Sequence, residues 1–263
     1  MTLAQTLKRI YAGGQQVDVL YSRGSRYDSP AQRAAKQKTS SEAQRRMNQI
    51  YSYQKLELML STNFPTADSG LVVVLTCDPE HQPKNRNQMS RWLQQWRRRM
   101  NEERRARDLP ELVAFWCIEV LTSRSGLWHA HLVINSTGND ADMIRRCWTR
   151  GSDIEISKLR IDKEKNWETL AKYMTKEKRE CQDENSGVGA RSWSYTRNAR
   201  KPEVETLIVG DDYQLQAPEG TTVLVDEKKR TEFASYHVMK YRFDGVRIGH
   251  RKQEARRRRR TRR

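Results

Sequence analysis

The sequence predicts an α+β fold in which a central antiparallel β-sheet is flanked by helices. Apolar runs of strand length occur at 71–77, 112–121 and 127–135. The last two runs are separated by a short segment that ends in Gly126, which is typical of a β-hairpin. A helical pattern at 87–108 lies between the first two runs, so strands and helices alternate within one stretch of chain.

The charge of the chain favours a polyanionic partner. The 263 residues carry a net charge of +17, and the sequence pI is about 9.9. Residues 251–263 hold nine basic residues and one acidic residue, so this tail contributes +8 and the rest of the chain remains at +9. Such clustering is the electrostatic signature of nucleic-acid binding, although a basic surface can also serve solubility alone.

The cysteines and the hydropathy pattern indicate a reduced, non-membrane protein. The four cysteines are scattered without a C-x-x-C pair, which argues against a structural zinc site and against a disulfide framework. The N-terminus has no signal-peptide apolar core, and no apolar run approaches the roughly 18 residues that a membrane span needs. We therefore expect a cytoplasmic protein with no membrane partner.

Changes in composition divide the chain into four predicted segments. Residues 30–48 are rich in Ala, Gln, Lys, Arg and Ser, and a loose helical stripe follows from Met47 to Leu58. Beyond residue 202 the pattern weakens into short possible strands. The predicted segments are a basic helical N-terminal region at 1–62, a central domain at 63–202, a small appended β element at 203–250 and a disordered Arg-rich tail at 251–263.

The first strand and the long helix have clear sequence signals. Leu71–Cys77 is continuously apolar, which is typical of a central strand buried on both faces, and Asp78 and Pro79 end it. The helix predicted at 87–108 carries an apolar stripe at helical spacing. That stripe consists of Met89, Trp92, Leu93, Trp96 and Met100.

The strand at 127–135 carries His129 and His131, which point to the same face because they are two residues apart. If the hairpin loop is centred near residue 124, Glu119 lies opposite His129 and Cys117 lies opposite His131. A loop one residue different would turn Glu119 away. Two imidazoles and a carboxylate suit a hard divalent cation such as Mg²⁺ or Mn²⁺. The alternative is a half-buried His-x-His without a ligand role.

A second chemical feature lies in the helix that Asn166 is predicted to cap. Tyr173 and Lys176 are three residues apart and therefore lie close together on this helix. Lys172 adds further positive charge. Because a tyrosine hydroxyl has a reference pKa of about 10, it becomes a nucleophile only with help from a metal, a base or nearby positive charge. The alternative role for Tyr173 is in the core or on the surface.

These features together resemble the HUH endonucleases, in particular the rolling-circle replication initiators of small single-stranded DNA phages. Residues 74–79 resemble the first motif. Glu119 followed by 129–133 resembles the metal motif, and 172–177 resembles the catalytic motif, in which a lysine follows the tyrosine by three residues. The segment 191–202 is similar to the one that follows the tyrosine helix in phage members. The resemblance covers roughly residues 70–202.

The resemblance implies a mechanism and a set of partners. Tyr173 would attack a phosphodiester of single-stranded or hairpin origin DNA, become joined to the 5′ phosphate and free a 3′ hydroxyl. His129, His131 and Glu119 would hold the cation, Mg²⁺ or Mn²⁺, and Lys176 would assist at the phosphate. A host polymerase and a host helicase are then expected partners in the cytoplasm of a bacterial cell.

Two other functions are compatible with the sequence. A non-catalytic binding protein for single-stranded nucleic acid would stack bases on aromatic residues and hold phosphates with basic ones. Candidate DNA contacts are Trp128, Lys172, Arg191 and Arg197, with Trp193 and Tyr195 as further stacking rings. A single-tyrosine HUH transposase or relaxase is the other alternative. In relaxases the nucleophile precedes the metal motif, whereas Tyr173 follows it; Tyr195 is a weaker second candidate for the nucleophile.

Overall fold

The computed structural model describes residues 5–23, 42–120, 126–164, 166–176, 192–230 and 234–245, with backbone only at 23, 42–47, 176, 230 and 234. The described part of the chain contains ten strands and four α-helices. The strands β1 to β10 are Gln5–Ala12, Gln15–Arg23, Gly70–Thr76, Ala114–Val120, Trp128–Asn135, Ile154–Lys158, Ser194–Tyr195, Glu203–Val209, Thr221–Arg230 and Ala234–Phe243. The helices α1 to α4 are Glu42–Asn63, Arg86–Ala106, Ala141–Cys147 and Glu168–Lys176. The predicted α+β fold class is confirmed.

The chain forms two compact units, and each contains one five-stranded antiparallel sheet. The larger unit consists of residues 48–60 and 66–200, and its strand order is β6-β3-β5-β4-β7. The histidine strand β5 therefore lies in the middle of this sheet, between β3 and β4. The predicted strand at 71–77 corresponds to β3, which has neighbours on both edges, as its continuous apolar sequence suggested.

One face of the larger sheet packs against α2 and α3. Met89, Leu93, Trp96 and Met100 of α2 are almost completely buried in a single core. The sheet contributes alternate residues of its strands to this core, including Trp116 and Ile118 of β4 and Ala130 and Leu132 of β5. Because side chains alternate along a strand, Glu119, His129 and His131 point to the opposite face.

The end of β5 is fixed by a buried ion pair between α2 and the N-terminus of α3. Arg104 Nη2 lies 2.9 Å from Asp140 Oδ1, and both side chains are 0% exposed. The same guanidinium donates to the side-chain and backbone oxygens of Asn135, the last residue of β5, at 2.7 Å each. Asp140 also accepts from the backbone N–H of Thr137. The pair thereby connects α2, β5 and α3.

The prediction that residues 1–62 are helical is wrong for Gln5–Arg23, which form the hairpin β1–β2. The turn uses Gly13 at a φ of 62°, a conformation that favours glycine, and a Cβ there would meet the Ser61 backbone. Both strands pair with segments about two hundred residues further along the chain, so the local pattern carried little information about them. The helix predicted from the stripe between Met47 and Leu58 is present as α1.

The strands expected after residue 202 are present as β8, β9 and β10, but they do not form a separate element. They complete one sheet with the N-terminal hairpin, in the order β8-β1-β2-β10-β9. Residues 1–47, 61–65 and 201–263 are grouped as one unit. Its core contains Leu7, Leu20, Leu215, Met239 and Tyr241. The predicted disorder of residues 251–263 lies outside the described residues.

Candidate metal centre and tyrosine

The pairing of β4 with β5 brings a carboxylate and two imidazoles together. Glu119 lies directly opposite His129, and Cys117 lies directly opposite His131, in the register predicted from the sequence. The side chains of Glu119, His129 and His131 are 6%, 3% and 6% exposed. A buried polar cluster of this kind is costly unless its members are paired or bind a ligand.

The Glu119 carboxylate is shared by both imidazoles. Its Oε2 lies 3.2 Å from His129 Nε2 and 3.0 Å from His131 Nε2. Its other oxygen, Oε1, accepts from the Cys117 thiol at a distance of 3.6 Å. Burial by itself would raise the pKa of Glu119, but the hydrogen bonds and charges of the two histidines outweigh burial and lower this pKa to about 2. Glu119 is therefore an anion at neutral pH.

These three residues fit a divalent cation. One ligand atom from each lies within 4.8 Å of the others. At its far nitrogen, Nδ1, His129 contacts the Leu127 carbonyl oxygen at 3.3 Å, which orients the ring so that Nε2 faces the carboxylate. His131 Nδ1 is buried and has no hydrogen-bond partner among the described residues. A mixed nitrogen and oxygen donor set suits Mn²⁺ and Mg²⁺, and three donors leave coordination positions for substrate.

Helix α4 places Tyr173 beside this cluster. The Asn166 side chain accepts from Glu168 N at 2.8 Å, so Asn166 caps the helix as predicted. The Tyr173 ring contacts the His131 ring edge-on, with centroids 5.3 Å apart. Its side chain is 47% exposed. Burial, followed by the negative charge of Glu119, raises the pKa of Tyr173 above its ordinary value. The phenol therefore keeps its proton at neutral pH in the metal-free protein.

The two lysines of the catalytic-motif candidate differ in what can be said of them. Lys172 Nζ lies 2.6 Å from Glu168 Oε1 and 5.2 Å from the centroid of the Tyr53 ring. The ion pair with Glu168 is the largest of the causes that raise the pKa of Lys172. Lys172 therefore carries a full charge at neutral pH but shares it with a neighbour on its own helix. Lys176 is the last residue of α4, and its side chain lies outside the described residues.

The other candidate DNA contacts do not converge on the cluster. Trp128 packs against the core on the opposite face of the sheet from the histidines. Trp193 is 8% exposed, and its ring lies against Phe115 and Tyr195. Arg197 is exposed, and Arg191 lies outside the described residues. A role for these residues in DNA binding stays a prediction.

Two contacts near the histidine strand were not predicted from the sequence. The Gln82 side chain accepts from Trp128 N at 3.0 Å and donates to the carbonyl oxygens of Cys77 and Asp78, which ties the start of β5 to the end of β3. The thiol contact from Cys117 to Glu119 is the other. The register had indicated that Cys117 shares a face with Glu119, but a glutamine beyond a strand end leaves no comparable signal.

The comparisons with known proteins agree with this part of the chain. A family model described as a replication-associated protein of the ORF2 type matches residues 70–178, which include the acid–histidine cluster and Tyr173. No curated protein and no solved structure matches the chain. In the part of the chain that the structure describes, no helix combines the length and apolarity needed to cross a membrane. The family match supports a rolling-circle replication initiator-like protein with a role in DNA replication.

Proposed function

We propose that this protein nicks and rejoins single-stranded origin DNA through a covalent link to Tyr173, and thereby initiates rolling-circle replication. The observation that carries the proposal is the contact between the Tyr173 ring and His131 beside a buried His–His–Glu cluster. A nucleophile and a cation site come within a few ångströms of each other, although their residues belong to separate elements. The family match over residues 70–178 supports the same function.

In the proposed reaction, the Tyr173 oxygen forms a bond to a backbone phosphorus atom. The bond from phosphorus to the 3′ oxygen breaks, that oxygen takes up a proton, and the 5′ phosphate remains on the tyrosine. The phenolic proton leaves to solvent, which reaches the half-exposed ring. The reverse attack by a 3′ hydroxyl rejoins the strand, because the phosphotyrosine bond replaces the phosphodiester bond without hydrolysis.

Glu119, His129 and His131 are the residues that would hold the cation. When bound, a divalent ion would neutralise charge on the phosphate and offset the carboxylate charge that raises the pKa of Tyr173. Cys117 holds the second carboxylate oxygen, so Glu119 presents the first one to the ligand site. Lys176 would contact the phosphate. The freed 3′ hydroxyl would serve a host polymerase, with a host helicase opening the duplex.

A covalent-capture experiment tests the proposal. The full-length protein is incubated with Mn²⁺ and a pool of single-stranded oligonucleotides that carry a randomised region. Adducts that survive denaturation are then isolated and sequenced. We expect adducts that share a sequence motif, with the 5′ phosphate on a Tyr173 peptide. Tyr173→Phe should abolish them, and a chelator should do the same.

Tyr195→Phe is the matched control, because it removes a hydroxyl from the second candidate tyrosine and leaves the ring to pack against Phe115. It should form adducts at the wild-type rate. Undiminished adduct in Tyr173→Phe would move the nucleophile elsewhere. Tight binding without any adduct, indifferent to chelator, would instead identify a non-catalytic binding protein. Joining of two ends of one DNA element would indicate a transposase.

A further inference from the structure

The helices on the opposite side of the larger sheet carry a dense set of arginines that the proposed cleavage chemistry does not use. Helix α2 contains seven arginines and two glutamates, and α3 adds two arginines and one aspartate. We use the name arginine face for the following six residues. They are Arg91, Arg98 and Arg105 of α2, with Arg145, Arg146 and Arg150 in and after α3.

The arginine face is one continuous surface within this unit. Arg91, Arg98 and Arg105 are seven residues apart, so they form a line along the outer side of α2 with a spacing of about 10 Å. Helix α3 lies directly alongside. Arg146 contacts Glu103 of α2 at 3.1 Å, and the Trp96 indole of α2 donates to the Ile144 carbonyl oxygen.

Acidic residues reduce the charge of this surface without cancelling it. Glu103 accepts from both Arg107 and Arg146 through one oxygen, and Glu102 lies 3.6 Å from Arg98. The side chain of Arg98 is nevertheless 74% exposed. Two carboxylates thus serve three arginines, and the surface keeps a clear positive excess. A phosphate backbone is the chemical group that such a surface complements.

The aromatic rings nearby indicate duplex rather than single-stranded DNA. Arg150 lies over the Trp92 ring at 4.7 Å, and Arg97 lies over the Trp116 ring at 4.5 Å. The ring faces on which unpaired bases could stack are therefore occupied by guanidinium groups. None of the exposed large apolar residues in the described part of the chain belongs to α2 or α3. The surface offers charge and hydrogen-bond donors, which read phosphates and not base faces.

We propose that the arginine face binds the sugar–phosphate backbone of double-stranded DNA, independently of sequence and of metal. Helix α2 has 21 residues, so it is about 31 Å long, close to one turn of a B-form duplex. The surface lies on the opposite side of the sheet from Glu119 and the two histidines. A duplex arm and a single strand could therefore occupy the unit at the same time. This inference goes beyond the proposed cleavage and does not need it.

The test measures binding of a short blunt-ended duplex by fluorescence anisotropy in EDTA, over a series of salt concentrations. The full chain is compared with a variant carrying Arg91→Gln, Arg98→Gln and Arg105→Gln. A charge-matched control carries Lys8→Gln, Lys228→Gln and Lys229→Gln, which are exposed residues of the other sheet. Circular dichroism melting establishes that both variants are folded.

If each arginine of the line contacts one phosphate, the slope of log K against log salt should fall in magnitude by about 2.7 for the arginine variant. The affinity at about 0.1 M salt should fall roughly eightfold per lost contact, hence by two to three orders of magnitude. The control should lose much less. Covalent capture of single-stranded DNA at saturation should be retained by the arginine variant, which separates this inference from the cleavage proposal.

Three results would overturn the inference. An equal loss in the control variant would mean that total charge, and not this surface, determines duplex binding. An unchanged salt slope in the arginine variant would mean that these side chains contact no phosphates. Loss of adduct formation at saturating single-stranded DNA would mean that the arginines belong to the cleavage site.

Discussion

The contact between Cys117 and Glu119 leads to a prediction about metal affinity. The Cys117 thiol donates to Glu119 Oε1, while both imidazoles contact Oε2. The thiol thereby fixes the rotation of the carboxylate, and with it the oxygen that faces the cation site. Cys117→Ala removes this donor and leaves the three ligand residues intact. We expect the variant to bind Mn²⁺ more weakly because its carboxylate has to be ordered when the ion binds.

The size of the effect follows from the type of contact. Loss of a hydrogen-bond partner to a metal ligand typically costs about 10- to 100-fold in metal affinity. A thiol is a weak donor, so the lower end, about tenfold or 1.4 kcal/mol, is the expected value. Cys117→Ser retains a donor of similar size and should recover most of the affinity.

The assay measures free Mn²⁺ by electron paramagnetic resonance during titration of the protein without DNA, so it does not depend on cleavage. Cys147→Ala is the matched control, because Cys147 is equally buried at 3% exposure but lies in the core on the other face of the sheet. An affinity for Cys117→Ala within about twofold of the wild type would refute the reasoning. An equal loss in Cys147→Ala would refute it as well, since the cause would then be general loosening of the core.

Three further predictions concern stability and charge. Asp140→Ala leaves the buried Arg104 without its counter-ion, so chemical denaturation should show a loss of about 3–5 kcal/mol; a loss under about 1 kcal/mol would contradict this. Because the pKa of Glu119 is lowered to about 2, the metal-free folded state binds fewer protons than the unfolded chain as the pH falls from about 4.5. Its free energy of unfolding should therefore decrease in this range by up to about 3 kcal/mol, and Glu119→Gln should flatten the decrease in acid titrations. Deletion of residues 251–263 should flatten the salt dependence of DNA binding while cleavage at saturating DNA survives; loss of that cleavage would count against a purely electrostatic tail.

Local sequence patterns determined the part of the fold that holds the candidate site. The strand β5 and its register with β4 follow from alternation and from the length of the connection, and they suffice to place Glu119 opposite His129. The hairpin is local, so about twenty residues contain the information that sets its geometry. The same is true of the helix that presents Tyr173, whose cap and apolar stripe can be read directly from the chain.

Tertiary structure decided what lies between these local elements. That α4 packs on the histidine face, and not on the other, depends on which apolar surfaces remain uncovered after the sheet has formed. The N-terminal hairpin was predicted as helical because its partners, β8 and β10, lie about two hundred residues away. Strand pairing is stabilised by hydrogen bonds and side-chain contacts with those partners, and a residue's own neighbours in sequence carry almost no trace of them.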